Sequence, residues 1–272
     1  MRRIESYEQI QTLTAGLRSL RKGFTTNFFW SPERHARWVE NGDLFYDECD
    51  ECVLLLHPEK DFDYLFYLAT GPDKVASALK EFNPERTAIF DYLFKGDCPT
   101  ETLDAFKESG YEVYRQLYRM SRTGLFPVDA GAISPEVQMG KEEDLPKIAF
   151  LFERDFDPLC EQIPSREELQ SFVRGQQLLV LRDKDTLAGF LVYEMTGKTW
   201  YLRYWYTDPA HRNQGVGSKL LRAAVALGRE STRQILWVLS DNENAIKRYG
   251  HFGFTREPMN DYILIKRPNH ER

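Results

Sequence analysis

Apolar residues in the first half of the chain recur first at helical and then at strand-like spacing. Intervals of three and four positions predict an amphipathic helix over 7–21. Ser31 before Pro32 is a typical helix start, and that helix would end near Gly42. Strands are predicted at 52–57, 62–70, 87–93 and 111–119, and further helices at 74–82 and 100–109. Strands that alternate with short helices indicate an α/β architecture.

The second half contains a longer alternation of elements. Ser165 followed by Glu168 is a capping box, which marks the N-terminus of a helix. Turns at 183–185 and 196–198 would join neighbouring strands as hairpins. Strands are predicted near Val137 and at 178–182, 188–195, 200–207, 234–239 and 261–266, and helices at 142–154, 165–174, 216–229 and 243–251. The element order is therefore β-α-α-β-β-β-α-β-α-β.

A stretch that contains glycine and proline separates the two halves. Gly124, Pro127, Gly131 and Pro135 lie between patterned segments, as in a linker. A chain of 272 residues is also longer than a typical domain of ~100–150 residues. We therefore predict two domains, over 1–122 and 135–272, joined by a linker over 123–134.

Composition and charge argue against several classes of partner. The formal net charge is −6, so the chain as a whole offers no attraction to nucleic-acid phosphates. No apolar run reaches the ~18–20 residues that cross a bilayer. The N-terminal Arg2 and Arg3 are not followed by the apolar run of a secretory signal. We expect a cytoplasmic protein with no nucleic-acid and no membrane partner; the pattern leaves the oligomeric state open.

Two of the four cysteines, Cys49 and Cys52, form a C-x-x-C pair. No second pair and no nearby histidine completes a tetrahedral zinc set. Cys52 begins a predicted strand, whereas a thioredoxin-like redox pair would stand at the start of a helix. We expect reduced thiols and no metal.

The most informative segment runs from Asp208 to Ser218, between a strand and an amphipathic helix. Gly215 and Gly217 lie where the helix begins, and glycine allows a ligand to approach the backbone. The free N–H groups of a first helical turn, together with the helix dipole, favour an anion. Arg212 can add a charged contact. The segment lacks the Gly-Lys-Ser/Thr end of a Walker loop and the third glycine of a dinucleotide fingerprint.

Two motifs here resemble those of the GNAT superfamily of acetyltransferases. Arg212-x-x-Gly215-x-Gly217 resembles the R/Q-x-x-G-x-G/A pyrophosphate loop of that family. Asn242-x-x-Ala245-x-x-x-Tyr249-x-x-x-Gly253-Phe254 resembles its second motif, at the expected distance downstream. The resemblance covers the second half and implies a GNAT catalytic domain with acetyl-CoA, or another acyl-CoA, as co-substrate.

The resemblance also implies roles for individual residues. The pantetheine arm would bind backbone groups of the strand 200–207, and the diphosphate would bind the glycine loop. Tyr249 would be catalytic and would protonate the leaving thiolate. No carboxylate lies on the strand 200–207 or on 235–239, where the family places its base; a water chain or a group from the first domain stays open. The residues assigned to cofactor binding are Trp205, Tyr206, Thr207, Arg212, Asn213, Gln214, Gly215, Val216, Gly217, Ser218 and Asn242.

The first half contains a degenerate copy of the same pattern. The run from Tyr64 to Pro72 lines up with the run from Tyr201 to Pro209, 137 positions later (201 − 64). Further on, 106–111 resembles 249–254, and Phe106 replaces the tyrosine. The segment 73–77, interpreted as the matching loop, has no glycine pair and no equivalent of Arg212. We therefore predict an α/β (α+β) chain of two GNAT-like domains, each a central mixed, mostly antiparallel sheet flanked by helices.

The favoured function is acyl-CoA-dependent N-acyl transfer, in which a primary amine attacks acetyl-CoA directly. The acceptor would be a small-molecule amine or a peptide amine. Two alternatives stay open. One is a non-catalytic acyl-CoA-binding module, because no base is evident. The other is a tandem Fem-type aminoacyltransferase, since that class also pairs two such domains.

Overall fold

The computed structural model describes residues 1–124, 133–184 and 186–268, and these residues form two compact units. The first unit comprises Met1–Leu117 together with the chain from Pro258 onward, and the second comprises Tyr118–Glu257. The predicted domain boundaries stay a prediction, and most of the predicted linker lies outside the described residues. No helix in the described part of the chain is long and apolar enough to cross a membrane.

The elements of the first half follow the predicted alternation, with three additional short strands. They are β1 (Arg2–Arg3), α1 (Tyr7–Ser19), β2 (Thr25–Thr26), α2 (Pro32–Asn41), β3 (Phe45–Cys49), β4 (Cys52–Pro58), β5 (Asp63–Ala69), α3 (Pro72–Glu81), β6 (Ala88–Lys95), α4 (Thr100–Glu108) and β7 (Glu112–Thr123). The sequence analysis missed β1, β2 and β3.

The elements of the second half confirm the predicted order. They are β8 (Val137–Met139), α5 (Leu145–Asp155), α6 (Arg166–Arg174), β9 (Leu178–Asp183), β10 (Thr186–Thr196), β11 (Thr199–Thr207), α7 (Val216–Leu227), β12 (Arg233–Leu239), α8 (Glu243–His251) and β13 (Thr255–Lys266). Single 3-10 turns precede α5 and follow β11. The last strand begins at Thr255, six residues before its predicted start at 261.

Local signals in the sequence fix several helix ends. The capping box of α6 is present, because Ser165 Oγ accepts from the Glu168 N–H and Glu168 Oε2 accepts from the Ser165 N–H. Helix α2 begins at Pro32 and stops at Gly42, whose φ of 80° lies in the left-handed region that glycine adopts easily. The predicted turn at 196–198 is observed, whereas Asp185 of the other turn lies outside the described residues.

The sheet of the first unit is completed by the last strand of the chain. β3, β4 and β5 are antiparallel neighbours, and β5 pairs in parallel with β6. On its other side β6 pairs antiparallel with Met259–Lys266 of β13. Tyr262 and Leu264 of this strand are buried in the same core as α3 and α4. The first unit therefore depends on residues synthesised at the far end of the sequence.

The sheet of the second unit has two covered faces. β8, β9, β10 and β11 are antiparallel neighbours, and β11 pairs in parallel with β12. One core packs against α7 and α8, and includes Trp200, Leu220 and Tyr249. The other packs against α5 and α6, and includes Phe152 and Tyr204. Both faces of β11 are thus fixed by packing.

The two helices that the internal repeat aligns end in the same way. After the end of α4 the Tyr111 N–H donates to the Phe106 carbonyl (3.0 Å), and after the end of α8 the Phe254 N–H donates to the Tyr249 carbonyl (3.1 Å). The glycines before these positions have φ values of 88° and 82°. One interpretation was wrong, because 73–77 is not a loop: α3 begins at Pro72, directly after β5.

The four cysteines are free, and the C-x-x-C pair lies in a hairpin. Cys49 and Cys52 face each other at the turn between β3 and β4. Burial raises the pKa of the Cys52 thiol well above its ordinary value, which keeps the thiol protonated. A protonated, buried thiol is a structural residue.

Candidate active site

The parallel strands β11 and β12 separate part of the way along their length. Their pairing runs from Thr199–Arg233 to Leu202–Leu236 and stops there. β11 continues to Thr207 and keeps its pairing with β10 on the other side. Within the described residues, no strand pairs with 203–207 on the side of the split. The backbone N–H and C=O groups of this edge can therefore bind an extended ligand.

A β-bulge lies at the start of this free edge. On β10, Val192 and Tyr193 pair with Tyr204 and Leu202, so the pairing skips Arg203. The extra residue reverses the alternation of side chains along the strand. As a result, the side chains after the bulge face the opposite way from a regular strand.

The aromatic residues of β11 are consequently divided between two cores. Trp200 and Trp205 pack on the side of α7, while Tyr204 and Tyr206 pack on the side of α5 and α6. Tyr206 also accepts a hydrogen bond from Arg154 (3.0 Å). Their side chains do not form one aromatic pocket, because they pack into two separate cores.

The glycine-rich segment forms the entrance to α7. Asp208 Oδ1 accepts from the Ala210 N–H (2.9 Å) and closes a tight turn. Asn213 and Gly215 have φ values of 63° and 78°, which curve the backbone toward the helix. No side chain caps the N-terminus of α7 within the described residues. The N–H groups of the first turn are therefore available to an anion.

Gly217 is required by packing rather than by open space. A Cβ at this position would lie 2.9 Å from Trp205 Cζ2 and 3.0 Å from Thr207 Oγ1. A Cβ at Gly215 would meet nothing within 4 Å. The two glycines thus have different roles: Gly217 lets α7 approach β11, and Gly215 provides the turn.

Trp205 leaves a donor without an acceptor beside this helix. Its indole N–H is buried and has no hydrogen-bond partner in the described structure. Its Cε2, which is bonded to that nitrogen, lies 3.2 Å from the Cβ position at Gly217. A ligand oxygen bound at this uncapped helix N-terminus could accept the hydrogen bond of the unpaired indole N–H.

The remaining predicted residues of the loop and of α8 lie near the same end of the sheet. Val216 is buried, whereas Arg212, Asn213, Gln214 and Ser218 are exposed. Asn242 is exposed too, and its Oδ1 accepts from the Ala245 N–H (3.1 Å) as the N-cap of α8. A structural role therefore accounts for at least one of its polar atoms.

Tyr249 lies in the core of the second unit beside Trp205. Their ring centroids are 5.3 Å apart, and Tyr249 is 7% exposed. Its hydroxyl makes no hydrogen bond to a residue that the structure describes. Burial raises the pKa of Tyr249 well above its ordinary value, so the phenol is protonated at neutral pH and can donate a proton.

The sequence analysis missed Glu161, which lies in the connection between α5 and α6. This half-buried carboxylate is close enough to Tyr249 for the two groups to interact electrostatically. Its segment, 157–164, has neither apolar periodicity nor a motif. No signal in the sequence could have identified it.

A basic groove of about 610 Å³ opens beside the first turns of α7. It is lined by Arg122, Ser218, Arg222, Arg248, His251, Phe252 and Gly253. Within the described residues, neither Arg222 nor Arg248 makes a side-chain hydrogen bond or ion pair. The chain is acidic overall, yet this groove concentrates positive charge next to the glycine loop, which favours a phosphorylated ligand.

In the first unit, the corresponding split is filled by the chain itself. β5 and β6 pair in parallel at two positions, of which Tyr64–Ile89 is the second. Beyond that point, the side chain of Asn27 takes up the edge of β5. Its Nδ2 donates to the Leu65 carbonyl (3.1 Å), and its Oδ1 accepts from the Tyr67 N–H (2.8 Å).

The residues next to Asn27 complete this arrangement. β2 pairs antiparallel with Leu68 and Ala69, and the Thr26 hydroxyl donates to the Tyr67 carbonyl (2.7 Å). We call residues 25–27 the inner segment. It occupies the edge of β5 that corresponds, in the repeat, to the free edge of β11.

Comparison with known proteins agrees with this geometry. Residues 145–254 match the sequence model of the acetyltransferase (GNAT) family. No curated protein matches the chain significantly.

Several solved structures resemble the chain over most of its length. A tandem GNAT protein from the clavulanic acid biosynthesis pathway, solved without AcCoA, has 12% identity and a TM-score of 0.58, covering 98% of this chain and 97% of that one. An acetyltransferase of the GNAT family from Colwellia psychrerythraea has 15% identity and a TM-score of 0.55, covering 98% and 99%. A GCN5-related N-acetyltransferase from Sphaerobacter thermophilus has 15% identity and a TM-score of 0.55, covering 86% of each chain. At these identities the likeness shows the fold, and it confirms the predicted tandem architecture.

Proposed function

Because residues 145–254 are a domain of the acetyltransferase (GNAT) family, we propose that this protein transfers an acetyl group from acetyl-CoA to a primary amine. The observation that carries the proposal is the free edge of β11, which ends in the uncapped N-terminus of α7. An extended polar arm that ends in a diphosphate fits such an edge and such a terminus. The glycine motif forms that terminus, and Tyr249 of the second motif lies beside Trp205 of the edge.

Different residues of the second unit would bind different parts of acetyl-CoA. Backbone groups of Trp205, Tyr206 and Thr207 would bind the pantetheine arm. The diphosphate would bind the first-turn N–H groups of α7, with Arg212 as a further donor. The buried indole N–H of Trp205 fits this assignment, because a ligand oxygen would satisfy it. Arg222 and Arg248 in the basic groove would bind the phosphate of the nucleotide.

The chemistry requires the amine to attack the thioester carbonyl carbon. A C–N bond forms, the C–S bond breaks, the nitrogen loses one proton, and the departing sulfur takes one. Tyr249 is the proposed donor, since its phenol is protonated and makes no hydrogen bond within the described structure. The protein supplies orientation and donors to the developing charge, so no covalent intermediate is needed.

The acceptor is proposed to be a small-molecule amine or a peptide amine, and the protein is proposed to act in the cytoplasm. The first unit is proposed not to bind acetyl-CoA. Its inner segment already satisfies the backbone edge that the arm would use.

The proposed reaction is tested by thiol release from acetyl-CoA in the presence of a panel of amines. We expect release that depends on both the enzyme and one class of amine, and mass spectrometry should show the acetylated amine. Acetyl-CoA that binds tightly while no amine supports release would instead favour a binding module.

Replacing both Arg222 and Arg248 by Gln should weaken acetyl-CoA binding about tenfold. Hydrogen bonds to charged groups contribute about 1.5–3 kcal/mol, and 1.4 kcal/mol changes a dissociation constant by a factor of ten. Because the groove is exposed, we expect the lower end of that energy range. The measurement is isothermal calorimetry, with Arg229→Gln at the far end of α7 as the matched control. A ligand that lacks the 3′-phosphate should bind the wild type and the double variant equally well, and a persistent difference would contradict the assignment.

A further inference from the structure

The proposed reaction needs a group that takes a proton from the amine, and neither β11 nor β12 offers a carboxylate. An amine is mostly protonated at neutral pH and cannot attack in that state. A base near the sheet split must therefore come from another element. The connection between α5 and α6 provides one.

This connection is held against β11 by aromatic side chains. The Tyr204 hydroxyl donates to the carbonyl of Gln162. At the other end, the ring of Phe156 lies 6.2 Å from both Tyr204 and Tyr206. Glu161 is the neighbour of Gln162 in the chain, so it is fixed beside the part of β11 that separates from β12.

The carboxylate of Glu161 is held in a defined position. Its Oε2 accepts from the Asp157 N–H (2.9 Å), and its own N–H donates to the Asp157 carbonyl (2.8 Å). These two bonds close a single turn and limit the side chain to one orientation. No Lys or Arg in the described structure forms an ion pair with Glu161.

A half-buried carboxylate without a cation is costly, because burial removes water from the charge. Two groups interact with it electrostatically: Asp157 on its own turn and Tyr249 on α8. Burial raises the pKa of Glu161 above its ordinary value, and the Asp157 carboxylate raises it further against the opposing hydrogen bond from the Asp157 N–H. A raised pKa makes this carboxylate a better proton acceptor than an exposed one.

We propose that Glu161 is the general base of this acyltransferase and binds the acceptor as its ammonium ion. The inference rests on the proposed function. Glu161 takes one proton from the ammonium, the freed amine forms the C–N bond as the C–S bond breaks, and the thiolate leaves with a proton from Tyr249. The nitrogen then loses its second proton to the Tyr249 phenolate, which restores the phenol. Glu161 then passes its proton to water. The acceptor class that this site binds is a primary amine, whose ammonium ion pairs with the carboxylate.

Glu161→Gln tests the proposal, because it keeps the shape of the side chain and its acceptor for the Asp157 N–H. With an alkylamine acceptor we expect kcat to fall about 10²-fold or more, within the range of general-base catalysis. Affinity for acetyl-CoA, measured by calorimetry, should stay unchanged. Glu161→Asp should recover part of the rate, and Glu153→Gln, an exposed change on α5, should have none of these effects.

An acceptor that is already neutral gives the decisive readout. An O-alkylhydroxylamine is unprotonated at pH 7, so it needs the base less. The loss caused by Glu161→Gln should be at least tenfold smaller with this acceptor than with the alkylamine. In the wild type, kcat for the alkylamine should fall at low pH as Glu161 becomes protonated, and this limb should disappear in Glu161→Gln.

Three outcomes would overturn the inference. They are an unchanged kcat in Glu161→Gln, an equal loss with both acceptors, and a loss explained by weaker acetyl-CoA binding. Failure of the proposed function is visible separately, as a wild-type protein that releases no thiol with any amine, and it would overturn both.

Discussion

Replacing Tyr249 by Phe is expected to lower kcat about 10²-fold and to leave KM for acetyl-CoA nearly unchanged. A proton donated to the departing sulfur contributes only as the C–S bond breaks, so its loss affects the transition state and not the bound substrate. The ring contacts with Trp205 and Phe254 do not involve the hydroxyl. The free energy of unfolding should therefore stay close to that of the wild type.

The matched control for this experiment is Tyr193→Phe. Tyr193 lies in the same core and is also 7% exposed, but its hydroxyl donates to the Gln176 carbonyl (3.2 Å). We expect this change to cost about 1 kcal/mol of stability without changing kcat. Steady-state kinetics on both variants decide the question. If Tyr249→Phe kept nearly full kcat, the hydroxyl would have no catalytic role and the ring would serve only in packing.

Replacing Gly217 by Val is expected to abolish measurable acetyl-CoA binding. A Cβ at this position already lies closer to Trp205 and Thr207 than van der Waals contact allows. Two further methyl groups would push the first turn of α7 away from β11, and about 1 Å of misplacement costs about 10²-fold where geometry decides. Overpacking should also cost about 1–3 kcal/mol of stability.

Calorimetry on the whole chain should show one acetyl-CoA site in the wild type and none in Gly217→Val. Gly16→Ala is the control, since a Cβ there meets nothing within 4 Å and alanine favours a helix. A second site in the wild type would contradict the proposed role of the inner segment. If a folded Gly217→Val bound acetyl-CoA with wild-type affinity, the N-terminus of α7 would not be the diphosphate site.

The helices and loops of the candidate site were predicted from the sequence, because the patterns that determine them extend over only a few residues. The capping box at Ser165, the glycine loop before α7 and the position of Tyr249 on α8 all follow from sequence spacing. The order of the other helices and strands follows from apolar periodicity in the same way, whereas β1, β2 and β3 were missed. These features need no knowledge of distant residues.

The features that the sequence did not reveal depend on contacts between distant residues. Gly217 is required because Trp205 lies across from it after a bulge, and the bulge itself appears only in the pairing of β10 with β11. The inner segment has two residues of strand, too few for a periodic signal. Glu161 acquires its surroundings only when its connection packs on β11.

The pairing of β13 with β6 is a further long-range feature. Nothing in the sequence of Pro258–Lys266 indicates that it pairs with β6 rather than with a strand of its own half. Strand partners separated by more than 160 residues share no local pattern. Only the closed sheet identifies them.

The pairing of β13 with β6 has a consequence for how the protein folds during synthesis. On the ribosome, the chain up to Leu117 emerges long before Pro258, which lies 141 positions later (258 − 117). Until then β6 has an exposed edge, and such edges invite association with other chains. The first unit must therefore wait for translation to reach the end of β13. A protein fragment that ends at residue 122 would lack β13, so the edge of β6 would stay unpaired. Aggregation of that fragment would say nothing about its ability to bind acetyl-CoA.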